Sequence, residues 1–417
     1  MTRKKYSIFL LLLSCIVLSF GFYPIDGYER SQIKRLLDIQ NTLDKGEKYT
    51  RIPAGAFASI EDIQLNLLPV GDKNIDSILK EDPEFSKAIK RITPGGSYSL
   101  AVLDMTDPNN LKYASHRENV GYQPGSVGKI AVLNAVFYQL QKIYPDDFEA
   151  RIALLCNKIV DSRYWGTGDH HTVPIFDPKT EKLTKRQVVA SDTFTLFEWL
   201  DHMVSVSNNG AASVMYREAM LMAAFGKDYP RLSLEDSEKY FVDTPRDSLT
   251  SLASSVVNDP LRELGITEDD WRLGGMFTDA AGKYVGRTGG SIGSPKGLMK
   301  YLVQLEQGKV VDTASSLEIK RLLYITDRRI RYARARQLDS ARVYFKSGSF
   351  YSCNKSLPGS CGEYAGNKFN YMNSVITVEH PNGKKYIVCL MTNVLSKNSA
   401  GAHMYLASSI DKVVTAQ

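Results

Sequence analysis

Ser126 and Lys129, in Tyr122-Gln-Pro-Gly-Ser-Val-Gly-Lys129, are a hydroxyl and an amine nearly one helical turn apart. Pro124 and Gly125 end the incoming chain, and apolar residues at Ile130, Leu133, Val136, Phe137 and Leu140 set a helical period immediately afterwards. The serine is expected in the first helical turn, where free N–H groups and the helix dipole favour an oxyanion. A lysine desolvated there loses proton affinity and can take the serine proton, which makes the pair a nucleophile and its base. The spacing alone carries little, since Ser-x-x-Lys also occurs at Ser31, Ser77, Ser352 and Ser409. Only Ser126 has Pro-Gly before it and a strong apolar helix after it.

Two further groups carry chemistry. Ser207-Asn208-Asn209 puts a hydroxyl and a carboxamide on one short loop, able to relay a proton and hold a substrate amide. Serine and asparagine also serve as ordinary helix caps in such turns. Lys346-Ser347-Gly348 puts a lysine and a hydroxyl at a strand end, where a substrate carboxylate could pair with them; an edge strand with a solvated lysine is the bland alternative. Gly289-Gly-Ser-Ile-Gly293 formally matches a nucleophile elbow, with Asp327 or Asp339 and His380 or His403 in the expected chain order, but no buried strand precedes it. Asp169-His170-His171 has no apparent third metal ligand and reads as a solvated polar loop. Arg328, Arg329, Arg331, Arg334 and Arg336 read as a helix face or loop paired with acids rather than as a polymer-binding patch.

The elements that must position these groups read as strands at both ends of a domain with helices between. Strands are expected at Ser99–Met105, Leu111–Ser115, Ala341–Lys346, Asn373–Glu379 and Lys385–Thr392. Helices are expected at Arg30–Leu43, Ser126–Tyr144, Thr195–Val206, Ala211–Ala224, Pro295–Gln307, Ser315–Leu323 and Ala402–Val413. The order implies an α+β fold with one antiparallel sheet flanked by helices, its edges supplied by distant segments. Residues 22–92 read as an N-terminal extension, packed on the main domain of residues 93–417 or forming a small unit of its own.

Together and in this order, the three motifs resemble the penicillin-interacting serine hydrolases, class A β-lactamases and D,D-peptidase penicillin-binding proteins, with Ser-x-x-Lys, Ser-Asp-Asn and Lys-Thr-Gly. The resemblance runs over roughly residues 97–415. Thr193-Phe-Thr-Leu-Phe-Glu-Trp-Leu200 is similar to the family's helix leading into Ser-Asp-Asn, and Ser291-Ile-Gly-Ser-Pro-Lys-Gly-Leu-Met299 to its Thr-Thr-Pro segment. The resemblance implies a β-lactamase/transpeptidase-like fold with a helical subdomain, and a cofactor-free, metal-free acyl-enzyme mechanism. In it Ser126 attacks, Lys129 accepts its proton, and Ser207 and Lys346 handle the leaving-group proton and the substrate carboxylate. Asn209 would hold the acyl amide and Ser347 the carboxylate. Gly348 would let substrate lie along the strand, and the N–H groups of Ser126 and Ser349 would form the oxyanion hole.

Three departures qualify this reading. Asn208 stands where aspartate is usual, and Ser347 where threonine is usual. The stretch Trp271–Arg287 lacks the Glu-x-x-Leu-Asn element whose glutamate activates the deacylating water in class A enzymes. Asp279 is its only carboxylate, with Glu268, Asp269 and Asp270 just upstream. The expected substrates are a β-lactam, whose acyl-enzyme should persist and turn over slowly, or a peptidoglycan stem peptide, as for a D-alanyl-D-alanine carboxypeptidase or related amidohydrolase. An efficient β-lactamase with a non-standard deacylating base and a sensor acylated only once are the alternatives. Residues 228–260 read as an insertion that reshapes the cleft.

Arg3-Lys4-Lys5 and the apolar run Ile8–Phe22 form a secretory signal pattern over residues 1–21, and imply export. Leu12-Leu13-Ser14-Cys15 looks like a lipoprotein box, so membrane attachment is expected only through a lipid at Cys15; free secretion is preferred because the apolar run continues past it. Beyond this leader, 49 basic residues face 46 acidic ones, which gives no compositional case for a nucleic-acid partner. Cys353 and Cys361 bracket a turn-rich loop that a disulfide could close, while Cys156 and Cys389 sit in apolar runs as buried thiols.

Overall fold

Leu100 and Val102 point to one face of the strand Tyr98–Asp104 (β1) and Ala101 and Leu103 to the other, and all four are buried because apolar layers cover both faces. The computed structural model describes residues 27–50 and 52–416. Its central sheet contains β1, Lys112–His116 (β2), Arg342–Ser352 (β3), Phe369–Glu379 (β4) and Lys385–Asn393 (β5), in the antiparallel order β2-β1-β5-β4-β3. Segments more than 280 residues apart in sequence are thus neighbours, with Ala101 opposite Cys389. β3 is an edge strand. The fold is the expected α+β arrangement of one antiparallel sheet flanked by helices.

The helices Lys34–Asp44 (α1), Pro83–Ile92 (α2), Lys129–Ile143 (α3), Leu196–Val204 (α4), Asn209–Phe225 (α5), Arg246–Glu263 (α6), Pro295–Glu306 (α7), Thr313–Tyr324 (α8) and Ser399–Thr415 (α9) divide between the two faces. α2 and α9 bury Phe85, Ile89, Leu406 and Ile410 against one face. α7 and α8 cover the other, and α3 to α6 build the helical subdomain beside them. α3 is buried on nearly every side, consistent with its continuous apolar sequence. Local chemistry fixes the helix starts: Thr195 and Glu198 form a capping box on α4, and Ser294 caps α7 ahead of Pro295.

Residues 27–92 contribute to the common core rather than to a separate one. Ile33, Leu36 and Leu67 pack in the same apolar cluster as α3 and α5. The Arg35 guanidinium grips the buried Asp201 carboxylate through two hydrogen bonds of 2.6 Å. Lys320 on α8 bridges Glu306 of α7 and Glu379 of β4 at 2.8 Å and donates to Gln64 O at 2.6 Å. Asn66 closes this network onto Glu306 and Glu379, so two helices, a strand and the N-terminal segment share one buried charge cluster.

Several expectations change. The helix expected at Arg30–Leu43 is broken at Gln32, whose φ is +57°, into Gly27–Ser31 and α1. β3 runs on to Ser352, so Lys346-Ser347-Gly348 lies within the strand and not at its end. Residues 228–260 form Leu234–Asp243 and most of α6, and line no part of the cleft described below. Phe241 there packs on Trp165, which stacks on Tyr284 at 4.7 Å, behind the 271–290 segment. The helix Phe148–Asn157 and the hairpin of Val173–Asp177 with Lys182–Arg186 lack strong periodicity and escape the sequence reading. Cys353 and Cys361 are disulfide-bonded, and Cys389 is buried. Cys156 is only half-buried, its thiol donating to Arg30 O at 3.4 Å; burial pushes its pKa up to about 11. The signal segment 1–21 and Cys15 lie outside the described residues, among which no helix is long and apolar enough to cross a membrane.

The Lys320 cluster yields a stability prediction. Lys320→Met removes the one cation between two buried carboxylates and is expected to destabilise the fold by about 3–5 kcal/mol, read as a lowered urea midpoint. An unchanged midpoint would show that the cluster relaxes without its cation.

Candidate active site

Gly125–Gly128 forms a 3₁₀ turn that leads directly into α3, so Lys129 is the first α-helical residue and Ser126 precedes the helix. Three residues per turn brings the side chains at i and i+3 into line, which sets the Lys129 amine 3.0 Å from the Ser126 hydroxyl. The expected first α-helical turn is therefore a tighter one. Lys129 Nζ is fully buried and also donates to Ser207 O at 2.5 Å and Asn209 Oδ1 at 2.7 Å. Burial is the main cause that lowers its pKa to about 7; Asp169 opposes the shift and Arg331 adds to it. Phe277 completes the enclosure, its ring centroid 5.5 Å from Nζ.

Lys346 enters from β3 on the other side, 2.7 Å from Ser207 Oγ. Burial, with Lys129 and Arg331 nearby, holds its pKa well below the ordinary lysine value. Ser207 sits between the two amines with a φ of +62°, a left-handed conformation that costs a non-glycine residue about 1–3 kcal/mol. Gly348 is required by contact: a Cβ there would stand 2.4 Å from Pro124 O and 2.6 Å from Ser126 N. β3 thus passes directly against the Ser126 turn, and the backbone at Ser349 adjoins Gly125 across the same junction.

The structure brings Ser126, Lys129, Ser207, Asn209, Lys346, Ser347, Gly348 and Ser349 to one junction between sheet and helical subdomain, beneath a cleft of about 580 Å³. Asn208 is fully buried and does not face the cleft. It caps α5 by accepting from Ala211 N at 2.6 Å and donates to His171 O at 2.8 Å, a donation an aspartate could not make. Two residues beside the site differ from their sequence reading. Arg331 is not paired with an acid among the described residues; it donates to Ser347 Oγ and Ser349 Oγ, both at 2.9 Å, and lies over Tyr364. Asp169 is not solvated: its side chain is 4% exposed and is held against Asn209. A singled-out arginine just upstream of the Lys-Ser-Gly strand was the available signal for the first; nothing local marked the second.

The other candidate sites do not assemble. Ser291 accepts from Gly274 N at 3.0 Å, His380 pairs with Asp411, and His403 is buried between Ser374 and Thr392, so no elbow triad exists among them. No cluster of three or more metal-ligating side chains occurs among the described residues.

A family model described as the β-lactamase enzyme family matches residues 84–410. The chain belongs to the β-lactamase enzyme family. Among solved structures it is similar to a β-lactamase from Chitinophaga pinensis (15% identity, TM-score 0.51, covering 79% of this chain and 97% of that one). It is also similar to the TLA-1 extended-spectrum β-lactamase (13% identity, TM-score 0.53, covering 81% and 99%). At these identities the likeness concerns the fold. No curated protein is significantly similar in sequence to the chain.

The 271–290 segment lacks the Glu-x-x-Leu-Asn element that the resemblance leads one to look for. It presents Leu273, Met276 and Phe277 to the cleft, not a carboxylate. Asp279 is exposed and lines no part of the cleft, which removes it as a substitute base. Asp270 is paired with Lys300 at 2.8 Å, and Glu268 and Asp269 face solvent. Asp327 does line the cleft, but is held by Lys185.

The contact at Gly348 can be tested. Gly348→Ala is expected to force β3 off the Ser126 turn, at a stability cost of about 1–3 kcal/mol. Active-site labelling by a serine-reactive probe should fall by about 100-fold. Wild-type labelling would show that the two backbones need not touch.

Proposed function

We propose that the protein is an exported serine hydrolase that forms an acyl-enzyme at Ser126 on β-lactams or on D-Ala-D-Ala-type peptide amides and releases it slowly. The observation that carries this reading is a buried amine 3.0 Å from a serine hydroxyl with its pKa brought down to about 7. A neutral Lys129 takes the Ser126 proton as Oγ attacks the amide carbonyl carbon. The N–H groups of Ser126 and Ser349 receive the developing oxyanion. As the C–N bond breaks, Ser207 Oγ passes a proton to the departing nitrogen, and Lys346 is placed to replenish it at 2.7 Å. The substrate carboxylate meets Ser347, Lys346 and Arg331, a cluster of cationic and hydroxyl donors suited to an anion. Hydrolysis then needs a water deprotonated beside the ester, and the apolar Met276 and Phe277 are poor company for that water.

This favours a D-alanyl-D-alanine carboxypeptidase-like or penicillin-binding role over efficient β-lactam turnover. A sensor acylated only once fits the same apolar wall, and turnover of stem peptides separates it from a peptidase. Export is supported by the leader pattern of residues 1–21 and by the Cys353–Cys361 disulfide.

Intact-mass spectrometry after addition of a penicillin tests the reading. A lasting adduct of one penicillin is expected, abolished by Ser126→Ala and retained by Ser291→Ala. The acylation rate should fall about tenfold per pH unit below a midpoint of about 7, because protonated Lys129 cannot serve as base. Labelling that survives Ser126→Ala overturns the assignment, and rapid drug loss without a lasting adduct overturns slow release.

A further inference from the structure

We propose that Asp169 is a positioning residue of this site: its carboxylate sets the orientation of the Asn209 carboxamide, and through it aims the Lys129 lone pair at Ser126. The proposal rests on the acyl-enzyme reading above. Asp169 lies on the loop before the Val173–Asp177 strand, a long way in sequence from both partners. Its Oδ2 accepts from Asn209 N at 2.5 Å, and its Oδ1 accepts from Asn209 Nδ2 at 3.1 Å. His171 Nδ1 lies 2.8 Å from the same Oδ1. The side chain is nearly buried, and Asp169 does not line the cleft, whereas His170, His171 and Thr172 do. It therefore acts on substrate only through another residue.

The physical argument is one of donors and acceptors. An ionised carboxylate only accepts, so the Asn209 face turned towards Asp169 must be the NH₂ group. That leaves Asn209 Oδ1 facing Lys129, 2.7 Å from Nζ. A neutral amine has two N–H donors and one lone pair. With Asn209 Oδ1 and Ser207 O both acting as acceptors only, the two N–H bonds go to them. The lone pair is left for the Ser126 hydroxyl at 3.0 Å. Were Asn209 turned over, its NH₂ would donate to Lys129 and draw the lone pair away from the nucleophile. Asp169 excludes that state by electrostatics, and the buried setting strengthens the exclusion.

The carboxylate also has a separable effect on protonation. The charged and titratable groups facing Lys129 are Asp169, backed by His171, Lys346 from β3, and Arg331 from the loop preceding it. Asp169 raises the proton affinity of Lys129, while Arg331 and burial lower it. Loss of the carboxylate should therefore move the acidic limb of the acylation profile to lower pH even as it lowers the plateau. A mere packing defect would lower the plateau without that movement.

The experiment measures the rate of Ser126 acylation by a penicillin against pH, with thermal melts alongside, for wild type, Asp169→Asn, Asn209→Ala and the double variant. Asp169→Asn is expected to cut the plateau rate by about 10- to 100-fold and shift the midpoint downward. The double variant should be no slower than Asn209→Ala, because Asp169 has nothing left to orient. Asp169→Ser repeats the comparison if Asp169→Asn does not fold. A wild-type plateau in the Asp169 variant, an unmoved midpoint, or a full further loss in the double variant overturns the proposal while leaving the acyl-enzyme reading intact. Absence of any Ser126 adduct in the wild type overturns that reading, and the proposal with it.

Discussion

The structure is organised around an amine with no access to water. Lys129 is fully buried, and a lysine so enclosed is stable there only if it is neutral or surrounded by acceptors. Both conditions are partly met. Ser207 O, Asn209 Oδ1 and Ser126 Oγ surround Nζ, while burial brings its pKa to about 7. Each partner comes from a different element: the 3₁₀ turn before α3, the strained loop after α4, and the first residue of α5. A shift of any one would leave the amine either unpaired or aimed elsewhere. The left-handed φ of Ser207 is explained in these terms, since it lets one residue offer its carbonyl to Lys129 and its hydroxyl to Lys346.

The same constraint accounts for the sheet edge. β3 must approach the Ser126 turn closely enough for Lys346 to reach Ser207, and only a residue without a side chain permits that at position 348. An edge strand leaves one row of backbone groups unpaired, which in most proteins is a liability. Here that row borders the cleft, and the side chains of Ser347 and Ser349 are tied back by Arg331. The buried cluster of Lys320, Glu306 and Glu379 joins the far end of the sheet to α7, α8 and the N-terminal segment.

What the sequence disclosed follows from how local each signal is. Ser126-x-x-Lys129 and Asn209 could be found because motif, cap and helix periodicity coincide within a few residues. The five strands of the sheet are visible as apolar runs, yet the run of β3 ends at Lys346 because its continuation, Ser347-Gly-Ser, is polar where it borders the cleft. Asp169 was hidden for the opposite reason. Its neighbours are polar and exposed, and its own burial depends on Asn209, 40 residues away. Arg331 was seen as part of a charge cluster but assigned to acids, since nothing in the run reveals that two serines 16 and 18 residues on are its partners.

The segment at residues 271–290 bears on the proposed acylation in the same terms. Phe277 lies over Lys129, where its ring face tolerates a cation but cannot accept a proton. The ring adds no acid that would raise the proton affinity of the lysine further, and it supplies no group to deprotonate a water. On the proposed reading, the wall of Met276 and Phe277 therefore leaves the first half-reaction to Lys129 and slows the release of the acyl group.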